Sequence, residues 1–158
     1  MGYDPRDPID AMNSLPHAYP FILLDRVAEL SASRGVAVKN VSGNSFFSYG
    51  RMEESLFLPD MLLIEAMAEL SGLVMNFGLT DRRAALLAAI STMRFERRVT
   101  AGESITVTSV LEGSFGRVAS FIVEASVGSV RIAAGRLTLA CAEAEVPSGQ
   151  VVSGIQIR

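Results

Sequence analysis

The chain has 158 residues, 49% apolar and 20% charged, with 14 basic against 17 acidic side chains and a net charge of −3. One domain of this size buries a core without disulfide or metal staples, and no basic block or stripe points to nucleic acid. The single cysteine, Cys141, and single histidine, His17, exclude an intramolecular disulfide, a cysteine-rich metal site and a pair of histidine ligands in one subunit, so no metal or cofactor is expected.

In chain order, residues 1–13 are polar and hold two of the six prolines, which reads as a loose arm. Acids and prolines stand where a signal peptide needs basic residues and then an apolar run. Leu15 to Tyr19 reads as a short turn or helical segment, and Phe21 to Leu30 as a first strand. Gly35 to Val41 alternates in polarity, as a second strand does, and Ser42-Gly43-Asn44-Ser45 is a turn signal. Pro59 and Asp60 open the clearest helix, a proline suiting its first turn and an acid its dipole. That helix is predicted to run to Phe77 and stop at Gly78. It is apolar almost all round, as a central buried helix is. Met61 to Leu79 is the most lipid-like stretch, but Glu65 and Glu69 would be expensive in lipid. The pattern is that of a soluble, cytoplasmic protein with no membrane partner.

Ala84 to Ile90 suits a helix by its alanines and a strand by its position. Ser104 to Leu111, Val118 to Val127 and Val130 to Ala140 are rich in β-branched residues. Turn signals at Gly113–Gly116 and Gly128-Ser129 separate them, so they read as an antiparallel meander. One long buried helix with an antiparallel sheet is a single α+β domain, here 14–146, followed by a Gly, Ser and Gln-rich tail, 147–158.

Several segments carry a specific likeness. Leu15-Pro16-His17-Ala18-Tyr19-Pro20-Phe21-Ile22-Leu23-Leu24-Asp25-Arg26-Val27 resembles the opening motif of the (3R)-hydroxyacyl-[acyl-carrier-protein] dehydratases of fatty-acid synthesis. Val38-Lys39-Asn40-Val41 and Phe46-Phe47 are similar to that family's next strand and the residues before its catalytic loop. Leu62-Leu63-Ile64-Glu65-Ala66-Met67-Ala68 resembles its helix motif, which ends Ile-Glu-Ala-Met-Ala-Gln. Met93-Arg94-Phe95-Glu96-Arg97-Arg98-Val99, then Gly102-Glu103, resembles its Ala-Arg-Phe-Lys-Arg-Pro-Val strand and turn. The resemblance spans roughly residues 12 to 142.

It implies a hot-dog fold, an antiparallel sheet wrapped around a long central helix. It also implies removal of water from a 3-hydroxyacyl thioester carried on acyl carrier protein or coenzyme A. In the resembling family a loop histidine of one subunit and a helix carboxylate of the other do the acid–base work at a dimer interface. Backbone N–H groups at the helix start polarise the thioester carbonyl. A homodimer, or a trimer of dimers, is the implied assembly.

Glu65 matches the helix carboxylate, but the loop departs from the family. Counting back from Glu65, with one extra residue near Ser48–Tyr49, Arg51 falls where the catalytic histidine belongs, Glu53 replaces a proline and Asp60 replaces a glycine. A guanidinium stays protonated and cannot take the α-proton. Asp60 adds a carboxylate near the donors for a developing enolate.

On a 3.6-residue period Glu65, Glu69, Gly72 and Asn76 share one helix face. On so apolar a helix that stripe lines a cavity or an interface. Burial of both carboxylates would raise one pKa and suit it to acid–base work; Arg51 or another arginine across the dimer would instead neutralise them. The catalytic candidates are therefore Glu65, Arg51 and Glu69, with Asp60, Met61, Gly72 and Asn76 facing substrate. Met61, Met67, Met75 and Phe77 also read as core or tunnel wall. His17 matches the family's opening motif and reads as a structural histidine, hydrogen-bonded near the first strand. Of Arg94, Arg97 and Arg98, Arg94 and either Arg97 or Arg98 match basic positions that lie near the tunnel mouth and meet the acidic carrier in the family; the alternative is ordinary salt bridging to Glu96 and Glu103. Cys141 reads as a buried small hydrophobe. Three functions fit: a divergent dehydratase, a thioesterase working from Glu65, or a non-catalytic acyl-binding subunit paired with an active paralogue.

Overall fold

The alternation of inward and outward side chains dictates the sheet. Ile105, Val107 and Ser109 are buried on β6 (Ser104–Phe115), and Ala119, Phe121, Val123 and Ala125 on β7 (Val118–Val127). Leu137 and Leu139 continue that face on β8 (Val130–Glu145). Two-residue turns join these strands, with Gly116 and Gly128 at φ +59° and +56°, a backbone region that favours glycine in tight hairpins. The meander is thus as expected, with β6 and β8 longer than their β-branched runs. β6 passes through Gly113 with a register shift and turns only at Gly116.

The computed structural model describes residues 10, 12–13, 15–44, 56–79 and 83–145. Phe46-Phe47, Arg51, Glu53, most of the arm and the tail from 147 lie outside the described residues. β1 (Arg26–Leu30) and β2 (Arg34–Asn40) form a hairpin, and β2 pairs with β6. The ambiguous alanine-rich run is a strand, β4 (Arg83–Phe95), pairing with β8 through several register shifts. Pairing against β8 overrides the helix propensity of its alanines. The sheet order is β1-β2-β6-β7-β8-β4, so β1 and β4 are its edges. A short pair, β3 (Phe57–Leu58) with β5 (Val99–Thr100), flanks the helix start.

The helix α1 (Asp60–Met75) begins after Pro59, carries Asp60 in its first turn, and ends two residues before Phe77. The chain then turns through Asn76 to Gly78, whose φ is +74°. Eleven of the sixteen helix residues are buried, which places α1 inside the curve of the sheet. Gly35 permits this approach: a β-carbon there would stand 2.8 Å from Cδ1 of Leu70 and 2.9 Å from Cγ2 of Val74. The Ser71 hydroxyl donates to the Met67 carbonyl and meets the Ser109 hydroxyl, both at 2.7 Å, so the buried polar pair between helix and β6 is satisfied. The arrangement is the hot-dog fold.

Gly135 is the tightest position in the sheet. A β-carbon there would lie 2.3 Å from the backbone carbonyl oxygen of Thr92 on β4. Backbone cannot swing aside as a side chain can. Gly135→Ala is therefore expected to lower stability by about 1–3 kcal/mol, read as a lower urea midpoint at unchanged slope.

Candidate active site

Glu65 and Glu69 stand one turn apart on α1, on the face that meets residues 15–24. Glu69 is 2% exposed. The Leu23 N–H donates to both of its carboxylate oxygens at 3.1 Å, and the Leu24 N–H donates to Oε2 at 3.2 Å. This explains why the first strand starts at Arg26 rather than Phe21. The amides of Leu23 and Leu24 are spent on a helix carboxylate instead of a strand partner. Their side chains, 3% and 2% exposed, anchor the segment in the core. Burial pushes the Glu69 carboxyl up to about 7, against the two backbone amides and the His17 charge, which favour its ionised form.

Anchoring Leu23 and Leu24 on Glu69 carries the preceding residues back along the helix by one turn. His17 thereby arrives at Glu65, with Nε2 3.4 Å from Oε1. The two side chains keep 30% and 35% of their surface, so both are reachable from solvent. The imidazole holds the Glu65 carboxyl below its ordinary range, and Glu65 raises the imidazole pKa against the opposing effect of burial. Nδ1 of His17 is buried with no hydrogen-bond partner among the described residues. From the sequence this histidine is expected to be a structural group near the first strand. Its ion pair is instead with the helix carboxylate. Helical spacing put Glu65 and Glu69 on one face, but no local pattern signals a contact from residue 17 to residue 65.

The remaining members of the polar stripe separate from this cluster. Gly72 is buried, and a β-carbon on it would meet Cβ of Ala85 on β4 at 3.5 Å. Asn76 caps the helix C-terminus, its N–H donating to the Gly72 carbonyl at 3.1 Å. Asp60 and Met61 are exposed at the helix start, Met61 by 64%. Arg51, at the family's histidine position, lies outside the described residues.

The three arginines have different surroundings. Arg97 binds Glu103 through two contacts, of 2.7 and 3.0 Å, and Glu103 also accepts the Thr100 N–H. Arg97 and Thr100 hold the Glu103 carboxyl down at about 2. Arg98 lies 4.5 Å over the Phe57 ring, a cation–π contact that joins β5 to β3. Arg94 is exposed on β4 beside a shallow depression that Ile122 and Arg136 also line. Glu96 pairs with Arg131 rather than with its near neighbours in sequence.

A carboxylate paired with an imidazole, both reachable, can take and give protons within one site. The deeper carboxylate orders the segment that delivers the imidazole.

A family model described as the FabA-like domain matches residues 15–145. The 3-hydroxyacyl-[acyl-carrier-protein] dehydratase FabZ of Streptococcus pyogenes serotype M3 is 32% identical over 132 residues, covering 82% of this chain and 94% of that protein. Among solved structures, the dehydratase heterocomplex ApeI:P of Xenorhabdus doucetiae superposes with a TM-score of 0.73 at 23% identity, over 86% of this chain and 91% of that one. A hypothetical thioesterase with coenzyme A from Streptococcus pneumoniae TIGR4 gives 0.57 at 11% identity, over 73% and 84%. At these identities the two structures speak for the fold.

Proposed function

Since the chain belongs to the FabA-like family, we propose that it is a divergent dehydratase of 3-hydroxyacyl thioesters, in fatty-acid or polyketide type metabolism. Its activity is altered because Arg51 stands where the family has its loop histidine. The observation that carries this reading is Glu65. It occupies the family's helix carboxylate position, and it is half-buried, with the His17 imidazole beside it holding its carboxyl below the ordinary range. Asp60 and Met61 flank the helix start, where a thioester carbonyl would meet backbone donors. The substrate arrives on acyl carrier protein or coenzyme A, and exposed Arg94 is the arginine best placed for an acidic carrier. The β4 edge, with Leu86, Leu87 and Ile90 exposed, supports a homodimer closed strand to strand, from which a trimer of dimers would grow. The cytoplasm is the proposed compartment; no described helix is long and apolar enough to cross a membrane.

Two other readings each rest on one observation. A thioesterase using Glu65 as its nucleophile or water-activating base needs no loop histidine, and the likeness to a coenzyme A-bound hypothetical thioesterase favours it. A non-catalytic subunit that lends Glu65 to an active paralogue is favoured by the likeness to a dehydratase heterocomplex.

One assay separates them. The purified chain is incubated with a 3-hydroxyacyl thioester, and enoyl formation is followed by ultraviolet absorbance and thiol release by a thiol reagent. Enoyl formation is expected. Thiol release without it selects the thioesterase, and inertness in both with retained carrier binding selects the accessory subunit. Arg51→His is expected to raise the enoyl rate. An unchanged rate would mean that the site no longer receives an imidazole from the loop.

A further inference from the structure

The geometry points to a second source for the missing imidazole: His17 and Glu65 of one protomer form a self-contained acid–base pair that performs the dehydration. This rests on the dehydratase reading above and specifies which residues carry it. It departs from the arrangement implied by the family resemblance, in which the imidazole comes from the loop and acts with the partner's carboxylate.

Three features of the molecule carry it. First, His17 is the only histidine in the chain, so any imidazole chemistry is its own. Second, Nε2 stands 3.4 Å from Oε1 of Glu65, and both groups remain partly exposed. That separation is long for an N–H to oxygen hydrogen bond, so the two groups are free to face different atoms of one substrate, Glu65 the C2 proton and His17 the C3 oxygen. Third, Glu69 fixes the backbone six residues beyond His17 through the Leu23 and Leu24 amides, which holds the imidazole against the helix. Glu69 is thus a positioning residue, and the charged groups bearing on His17 are Glu65 and Glu69, both on α1.

The step balances within the pair. The Glu65 carboxylate takes the C2 proton, and the C2–H electrons become the C2–C3 π bond. The C3–O bond breaks with its electrons on oxygen, and the His17 imidazolium gives that oxygen its proton, releasing water. The proton now on Glu65 then passes to the neutral imidazole, which restores the ion pair. Glu65 is the base and His17 the acid, so the step needs no histidine from the loop.

The test uses the full chain. His17→Gln is expected to lower kcat for enoyl formation by about 100-fold or more with KM changed by less than about threefold, as loss of a general acid does. His17→Asn is the second variant should the first fold poorly. The imidazole resonances of wild type need no assignment, since there is one histidine. Their pKa is expected above the ordinary value and to drop in Glu65→Gln. A wild type that makes enoyl while His17→Gln retains its rate overturns this inference and leaves the dehydratase reading standing. A wild type inert on 3-hydroxyacyl thioesters overturns both. An imidazole titration unmoved by Glu65→Gln overturns the pair whatever the activity.

Discussion

Thermal unfolding is expected at a higher temperature at pH 5 than at pH 8, and Glu69 is expected to supply most of the difference. In the folded chain burial holds this carboxyl at about 7, against about 4.5 when solvated. A carboxyl whose folded pKa is raised contributes stability that is complete below 4.5 and is lost as the pH rises through 7. The gap corresponds to about 3 kcal/mol, or roughly 6–12 °C for a domain of this size. His17 acts in the same direction, because its raised pKa gives stability that is present below 6.5 and lost as the pH rises through its folded value. Glu65 acts in the opposite sense and lower down. Its depressed pKa gives stability that is present above 4.5 and lost as the pH falls. The optimum therefore sits near pH 5. Glu69→Gln keeps an oxygen for the Leu23 and Leu24 amides, drops the charge, and matches the glutamine that ends the family's helix motif. It is expected to flatten the fall between pH 5 and 8. Glu69→Leu leaves two buried N–H groups without an acceptor and is expected to cost about 2–5 kcal/mol at pH 5. Calorimetry across this range checks all three proteins; a Glu69→Gln variant with the wild-type slope would sink the assignment.

What was legible in the sequence follows a physical division. The helix announced itself because Pro59, Asp60 and an apolar run act locally, whatever packs around them. The meander did so because Gly116 and Gly128 are demanded by tight turns and the β-branched runs alternate between them. β4 did not, since Ala84 to Ile90 has helix propensity and becomes a strand only through its pairing with β8. The same division runs through the candidate site. Helical periodicity puts Glu65 and Glu69 on one face. It carries no information on depth, and depth separates the two roles: Glu65 is reachable, while Glu69 is sealed against backbone amides. The His17–Glu65 pair was hidden for a related reason. It depends on where an irregular segment lies against the helix, and that is fixed by a backbone-to-side-chain contact with no sequence signature. The arginine pattern 94, 97 and 98 shows the complementary limit. Its basicity is visible in sequence, but only the fold distinguishes Arg97, bound to Glu103, from Arg94 on the exposed edge strand.

Glu65→Gln is expected to lower enoyl formation by about 100-fold or more, and mixing it with His17→Gln subunits is expected to restore nothing. The amide can neither take the C2 proton nor hold an imidazolium, so both halves of the step fail together. For the same reason the double variant should be no slower than either single one, as residues acting as a unit are strongly non-additive. The mixing experiment reads the geometry directly. With acid and base on one protomer, each subunit of a mixed dimer lacks one of them, and no complete pair exists anywhere in the population. Were the pair shared across a two-fold interface, every mixed dimer would hold one intact site, and co-expression would return roughly a quarter of the wild-type sites. Differently tagged variants, co-expressed and purified through both tags, make the mixed species pure and double that signal. Recovery of rate in this preparation would place the working imidazole and carboxylate on different subunits. Continued inertness, with wild-type dimers active beside it, is the outcome expected from a histidine that the chain itself folds back onto its own helix.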